Sequence, residues 1–248
     1  MNKENKYSFD SINHIHTLDG KPLIGCTTAL SVISKPALIQ WSANMAVSFI
    51  DDEITSMFAE DDKMTGEKAW KELEEFWPSI MREAKTAYRK KRDKAGDWGT
   101  AVHLAVEVWI KEKKEPRDLD EKGLEVFTKF KEWVKENKVE FIESEKHIYS
   151  KDLWVGGIMD LVLTIDGKKY IGDIKTSSGI YDEAFFQMGG YDLMLEEMGQ
   201  HQDTEGYIVI NLKKDGTIDF KIATDKELNR QAFKSALALY KIIQSLKK

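Results

Sequence analysis

One cysteine, Cys26, is the only thiol that 248 residues offer. A single thiol excludes an internal disulfide framework, and it excludes a cysteine-ligated zinc or iron–sulfur centre, which needs several thiolates on one metal. The simplest expectation is a reducing, intracellular, cytoplasmic location. The opening "MNKENKYSFD" has no apolar stretch of the signal-peptide kind, and no run approaches the roughly 20 apolar residues that span a bilayer. No membrane role is expected. Nor does the chain hold a G-x-x-x-x-G-K-[ST] phosphate loop, so any unwinding of a duplex would come from another chain. Excess positive charge is missing as well: the net charge is −6. A phosphate-coating protein usually gathers Lys and Arg, so the sum does not advertise one.

What charge there is falls in blocks. "DDEITSMFAEDD" is strongly acidic, and six of the ten residues of "KTAYRKKRDK" are basic: Lys85, Arg89, Lys90, Lys91, Arg92 and Lys94. The second block permits a surface for an anionic ligand; a solvated helix face is the plainer reading. With 42% hydrophobic residues the chain can bury one large core. No repeat, low-complexity tract or Pro/Gly-rich linker divides it, which points to one domain over 1–248, with a mainly helical lobe at 1–96 and a core at 97–248.

The hydrophobic period changes along the chain. Asp19-Gly20 signals a short N-terminal hairpin. From Pro36 the text is helical, with Leu38, Trp41, Met45 and Phe49 forming an apolar stripe for the core. Pro78 predicts a break or kink, Gly96 a helix end, and "DWGTAVHLAVEVWIKEKK" a new helix. A further helix puts Leu124, Phe127, Phe130 and Val134 on one face. From "VEFIESEKHIYS" onward the chain turns β-branched and aromatic, with turn signals at Asp166-Gly167 and Asp215-Gly216. One helical segment, "YDEAFFQMGGYDLMLEEMG", interrupts those strands, and Thr224-x-x-Glu227 reads as the capping box of a last helix running to Lys248. The fold class expected is α/β of the α+β kind, a mixed sheet packed with helices.

Two carboxylates stand where a buried strand would not want them. "GGIMDLVLTI" and "KKYIGDIKTSS" flank Asp166-Gly167 as the arms of an antiparallel hairpin, so Asp160 and Asp173 can lie side by side. Burying even one costs several kcal/mol unless a cation joins them. A divalent metal supplies that charge, and oxygen ligands suit Mg²⁺ or Mn²⁺. Lys175 follows Asp173 by two residues and therefore points to the same face, where it can meet an attacking water or a phosphate oxygen. The competing reading is an internal salt-bridge cluster of Asp160, Asp173 and Lys175.

Four pieces in order resemble the PD-(D/E)XK nuclease superfamily, in its RecB-like exonuclease branch, phage-type members included. "GTAVH" ending at His103 looks like the helical histidine motif, "GGIMD" ending at Asp160 like the G-x-x-D strand, "DIK" at Asp173–Lys175 like the (D/E)-x-K strand, and "QMGGY" at Gln187–Tyr191 like the Q-x-x-x-Y helix. Together they span about ninety residues, and the ordered set is far more specific than any member. The resemblance implies a restriction-endonuclease-like fold and Mg²⁺- or Mn²⁺-dependent hydrolysis of DNA phosphodiesters. Asp160, Asp173, His103 and the Ile174 carbonyl would hold metal, and Lys175 would orient or activate the water. Gln187 and Tyr191, stacked four apart on one helix, would contact the DNA backbone or buttress Lys175; core packing of Tyr191 beneath a surface Gln187 is the plainer alternative. His103 alone would read as a satisfied core histidine; Glu107, one turn later on the same face, would reach the site directly or through water, or else be a solvent-facing charge. Glu145, in the strand before the hairpin, would support the metal shell or pair with Lys146 or another basic side chain. The iron–sulfur cysteines of some members are absent.

Tyr88, Trp98 and the basic Arg89, Lys90, Lys91 and Arg92 precede His103, a combination that suits a single strand stacking on aromatics while its phosphates track cations. The expected substrate is DNA, single-stranded or with free ends, in recombination, repair or phage DNA metabolism, in a bacterial or phage-infected cell, with a recombination partner protein possible. The rival readings are a structure-specific or restriction-type endonuclease and an inactive DNA-binding protein of the same fold.

Overall fold

The Asp166-Gly167 pair takes left-handed backbone at both positions (φ 48° and 76°), the requirement of a tight hairpin turn. It joins the two long strands from which the fold is built. In this computed structural model, residues 6–59 and 66–247 are described; the start of the chain, the end of the acidic block at 60–62, and Lys248 lie outside them. The elements run β1 (Tyr7–Asp10), β2 (Ile15–Leu18), β3 (Lys21–Pro22), β4 (Ile24–Gly25), α1 (Cys26–Ala29), α2 (Pro36–Ala59), α3 (Gly66–Glu112), α4 (Glu121–Glu136), β5 (Glu140–Ser150), β6 (Val155–Ile165), β7 (Lys168–Lys175), α5 (Asp182–Glu197), β8 (Gly206–Leu212), β9 (Ile218–Ala223) and α6 (Lys226–Ser245). The expected mixed sheet flanked by helices is present. None of the described helices is long and apolar enough to cross a membrane.

The chain divides into two compact units, residues 34–98 and the remainder. In the larger unit, β1, β2 and β3 make a small antiparallel sheet, and six strands form the main one. β5 pairs antiparallel along the length of β6, β7 pairs antiparallel with β6, β8 runs parallel to β7, and β9 returns antiparallel on β8. β8 is buried at every one of its 7 positions, as a strand covered on both faces must be. One face packs Met188, Tyr191 and Met194 of α5 and Phe233 of α6 against Val162, Ile171 and Val209. α5 and α6 approach closely because Gly189 leaves room: a Cβ there would stand 2.5 Å from the Asn229 backbone. The other face holds an aromatic cluster in which Trp109 meets Phe127, Phe130 and Phe141 edge-on. Each such ring, fully buried, contributes about 1.5–3 kcal/mol.

Several local expectations are corrected. α3 passes through both Pro78 and Gly96 without a break. A helix of this length tolerates the one hydrogen bond that proline removes and the roughly 1 kcal/mol that a glycine costs. α3 ends where Lys113 turns left-handed (φ 56°). α4 is rotated from the face read in the sequence: Gly123, Val126, Phe127, Phe130 and Trp133 are buried, whereas Leu124 is exposed. α6 is capped by Asp225, whose carboxylate accepts from the Leu228 N–H at 2.9 Å, in place of Thr224. In the smaller unit the stripe on α2 does not reach a core: Trp41, Met45 and Phe49 are half-buried and Leu38 is exposed.

Candidate active site

β6 changes partner on one side. Val155 and Gly156 pair with β4, and Leu161 to Ile165 pair with β7. Between them, residues 157–160 have neither neighbour in the ladder on that side, so the sheet opens into a notch. Asp160 sits at its rim, one residue before the β7 pairing begins. Where a backbone carbonyl would have accepted, the Asp160 carboxylate does: the Ile174 N–H donates to Oδ2 at 3.0 Å. The two aspartates thus flank the point where the hairpin arms diverge, as the sequence suggested for a hairpin.

Helix α3 brings His103 to the notch, with Nε2 3.0 Å from Asp160 Oδ2. Gly99, one turn earlier, permits the approach, since a Cβ there would stand 2.4 Å from Thr176 Oγ1, just beyond the end of β7. His103 Nδ1 also lies 3.7 Å from Glu145 Oε1. Ligand atoms of His103, Glu145 and Asp160 lie within 4.8 Å of one another. Glu145 reaches that position through an unusual backbone, φ +51° inside β5, between the paired residues Ser144 and Lys146. Left-handed backbone in a non-glycine strand residue costs on the order of 1–3 kcal/mol and clusters at functional sites. Lys146 is taken by Glu143 at 2.6 Å, so Glu145 faces the histidine and not its sequence neighbour.

Asp173 is fully buried, and the Lys175 ammonium stands 2.8 Å from Oδ1 and 2.7 Å from Oδ2. Only the Oδ1 contact is aligned as a hydrogen bond, and Oδ2 accepts none among the described residues. The loop after Lys175 is clamped by buried Asn211, which accepts from the Ser177 N–H at 3.1 Å and donates to its carbonyl at 3.0 Å. Gln187 donates to the Tyr191 hydroxyl. Both are buried, which removes the alternative of a surface Gln187. Tyr191 packs beneath the notch because Gly157 has no side chain: a Cβ there would come within 2.8 Å of the ring. Cys26 closes the same floor, its thiol donating to the Gln187 carbonyl at 3.6 Å.

Electrostatically the site is short of positive charge. Burial pushes the Glu145 carboxyl up to about 7, helped by Asp160 and Glu107. Burial also raises Asp173, and neighbouring Asp160 adds to this against the opposing Lys175. Burial acts to raise Asp160 too, but the His103 hydrogen bond, Lys175 and the Ile174 N–H outweigh it and hold the carboxyl low. Burial disfavours charged His103, yet Asp160 and Glu145 raise its basicity. Asp173 and Asp160 likewise raise Lys175 against the effect of burial. Three carboxylates therefore face one permanent cation and one imidazole. That donor set, one nitrogen with carboxylate oxygens, fits a divalent ion such as Mg²⁺ or Mn²⁺.

Of the other residues singled out in the sequence, Glu107 is paired with Lys111 at 2.7 Å while its charge still bears on Glu145. Tyr88, Arg89, Lys90, Lys91, Arg92 and Trp98 belong to the smaller unit. There Lys90 pairs with Glu83, Arg92 with Asp93, and Arg89 donates to the Tyr88 hydroxyl. Sequence reasoning missed the Asn211 clamp and the placement of Glu145 beside His103. No sequence signal marks a strand glutamate for left-handed backbone.

No family model matches the chain, and no curated protein does. Among solved structures, "Crystal structure of SSO0001" is similar at 14% identity and a TM-score of 0.28, covering 79% of this chain and 87% of that one. At that TM-score the likeness bears on neither fold nor function.

Proposed function

We propose that the protein is a Mg²⁺- or Mn²⁺-dependent deoxyribonuclease, an exonuclease acting on DNA ends or single strands. The observation that supports this reading best is the convergence of His103, Glu145 and Asp160 beside the Asp173–Lys175 pair, at the point where the sheet opens. His103, Glu145, Asp160 and Asp173 would hold the ion. When bound, such an ion supplies Lewis-acid charge to a phosphodiester. The chain's own groups do the positioning. Lys175, half-buried and fixed by Asp173, presents N–H donors to a phosphate oxygen or to the attacking water and stabilises the negative charge that grows at phosphorus. The Ile174 N–H fixes Asp160, and Tyr191 supports its strand from below. Restriction to ends, and to DNA, is inferred from the four ordered motifs.

The test uses an end-labelled linear single strand and a covalently closed circle, incubated with wild type and Lys175→Ala in Mg²⁺, Mn²⁺ or EDTA. Metal-dependent loss of the linear strand alone, at least about a hundredfold slower in the variant, is the expected result. Cutting of the circle would replace the exonuclease by an endonuclease. Intact DNA under every condition would leave a DNA-binding protein of the same fold.

A further inference from the structure

Met159 and Val162 of β6 both belong to the buried cluster under α5. They are three residues apart, and strict alternation would put them on opposite faces of the sheet. β6 therefore loses one alternation between them. β5 loses one at the same level, because the residues opposite these two, Lys146 and Glu143, are also three apart. Directly opposed residues of an antiparallel pair share a face, so Glu143 and Lys146 both stand on the α5 side. Ser144 and Leu161 keep a regular pairing, which leaves Glu145 and Asp160 as the point of the slip. Two carboxylates of the candidate site thus occupy one paired irregularity, and Glu145 takes its left-handed backbone there (φ 51°).

An ion pair bridges that irregularity. Lys146 Nζ donates to Glu143 Oε1 at 2.6 Å. In a regular strand, residues three apart lie about 10 Å from each other and point to opposite faces, so such a pair could not form. It exists only while the slip exists. The other oxygen of Glu143, Oε2, lies 2.7 Å from His201 Nε2, on the loop that joins α5 to β8. A carboxylate only accepts, so the imidazole carries a proton on Nε2 and donates it. The His201 side chain is 13% exposed, which shields this contact from water. Both oxygens of Glu143 are thereby committed, one to the strand beyond the slip and one to the α5–β8 loop. An exposed ion pair alone would scarcely offset the strain of left-handed backbone, but a shielded pair with a second anchor fixes geometry as well as charge.

We propose that Glu143, Lys146 and His201 are positioning residues, a brace that holds the paired slip of β5 and β6 and so keeps Glu145 turned toward His103 and Asp160. Its effect on metal binding rests on the nuclease reading of this site, whereas its effect on the backbone does not. The test measures Mn²⁺ affinity by titration calorimetry on the full chain, well below the melting temperature, and amide exchange of the metal-free protein by mass spectrometry. Lys146→Met and His201→Phe are each expected to bind Mn²⁺ about tenfold more weakly, as loss of an outer-shell partner does. Both should exchange faster at residues 143–147 while the other strands keep their protection. Lys146→Arg restores the cation and is expected to match wild type. Lys213→Met is the control, since it removes the pair with Asp219 across the β8–β9 turn, away from the slip. It should leave Mn²⁺ affinity unchanged. Wild-type affinity in either Lys146→Met or His201→Phe would overturn the proposal and leave the metal site standing. An equal loss in Lys213→Met would overturn it too, because any weakened variant would then behave alike. A wild type that binds no Mn²⁺ would remove the metal reading, and exchange then decides: faster exchange confined to 143–147 in Lys146→Met keeps the brace, and unchanged exchange overturns it.

Discussion

Glu145→Gln separates a metal centre from a structural salt-bridge cluster, because the two readings give it opposite signs. The Glu145 carboxyl is pushed from an ordinary value of 4.5 up to about 7 by burial, Asp160 and Glu107. A carboxyl raised in the fold binds its proton more tightly there than in the unfolded chain. Stability therefore falls as pH rises from about 4.5 to about 7, and above 7 the full penalty of holding the charge is present. A difference of about 2.5 units corresponds to about 3 kcal/mol. The side chain is 20% exposed, and solvent screening reduces this to roughly 2 kcal/mol. Glutamine keeps the shape and removes the charge. At pH 8 the variant is expected to melt roughly 4–8 °C above wild type. By pH 5 that gain should nearly vanish, because folded wild type already holds the proton. Metal-dependent cleavage should fall at the same time, as happens when a strained functional group is traded for stability. Glu145→Gly extends the test, since it also relieves the left-handed backbone and should add to the gain. The assay is differential scanning fluorimetry across pH, without added metal. A Glu145→Gln variant less stable than wild type at pH 8 would refute the reasoning and make Glu145 and His103 a structural ion pair.

Mn²⁺ at millimolar concentration should raise the melting temperature of wild type and EDTA should reverse it, whereas Asp160→Asn should show no shift; an unshifted wild type would remove the metal from the site. Gly99→Ala places a Cβ 2.4 Å from Thr176 Oγ1 and should push α3 off the end of β7, at about 1–3 kcal/mol and with His103 displaced from Asp160. Thr176→Ala in the same chain should restore both stability and activity, and failure of that rescue would show that the close approach does not set His103. His16 is buried against Tyr7, whose hydroxyl lies 2.6 Å from Nδ1, and burial lowers its basicity from 6.5 to about 4. Being kept neutral in the fold, it should remove about 3 kcal/mol of stability as pH falls from 6.5 to 4, an acid sensitivity that urea titrations should find reduced in His16→Phe. Equal pH slopes in the two proteins would count against it.

The hairpin of β6 and β7 was legible because it uses short-range rules. Asp166-Gly167 is a turn for stereochemical reasons, alternation fixes which side chains share a face, and two carboxylates in apolar strands stand out by cost alone. The hinge of the site was not legible, because it depends on residues far apart in sequence. β4 is two residues long and pairs with Val155 and Gly156 from some 130 positions away. No local pattern announces that β6 will have one partner before residue 157 and another after 160. Helix ends failed for a related reason. Pro78 and Gly96 are local stop signals, but continuity of a 47-residue helix is decided by its whole length, against which either signal is a small term.

The partner change also explains why the carboxylates are tolerated. In an uninterrupted ladder, Asp160 would meet backbone on both sides, and its charge would lack donors. Where the strands diverge, the Ile174 N–H loses its backbone partner on β6, and the Asp160 carboxylate takes it. Each group thus resolves the other's unmet hydrogen bond, and a buried charge gains a donor without any added residue. Among the described residues Asp173 Oδ2 accepts no hydrogen bond and has the Lys175 ammonium 2.7 Å away. Lys175 neutralises Asp173 only in part, and among the described residues Glu145 has no Lys or Arg within ion-pair distance. The fold stabilises one carboxylate at the notch and leaves two others raised toward protonation. On the proposed reading a divalent ion would remove that imbalance, whereas a salt-bridge cluster would leave it in place, and this difference is what Glu145→Gln measures.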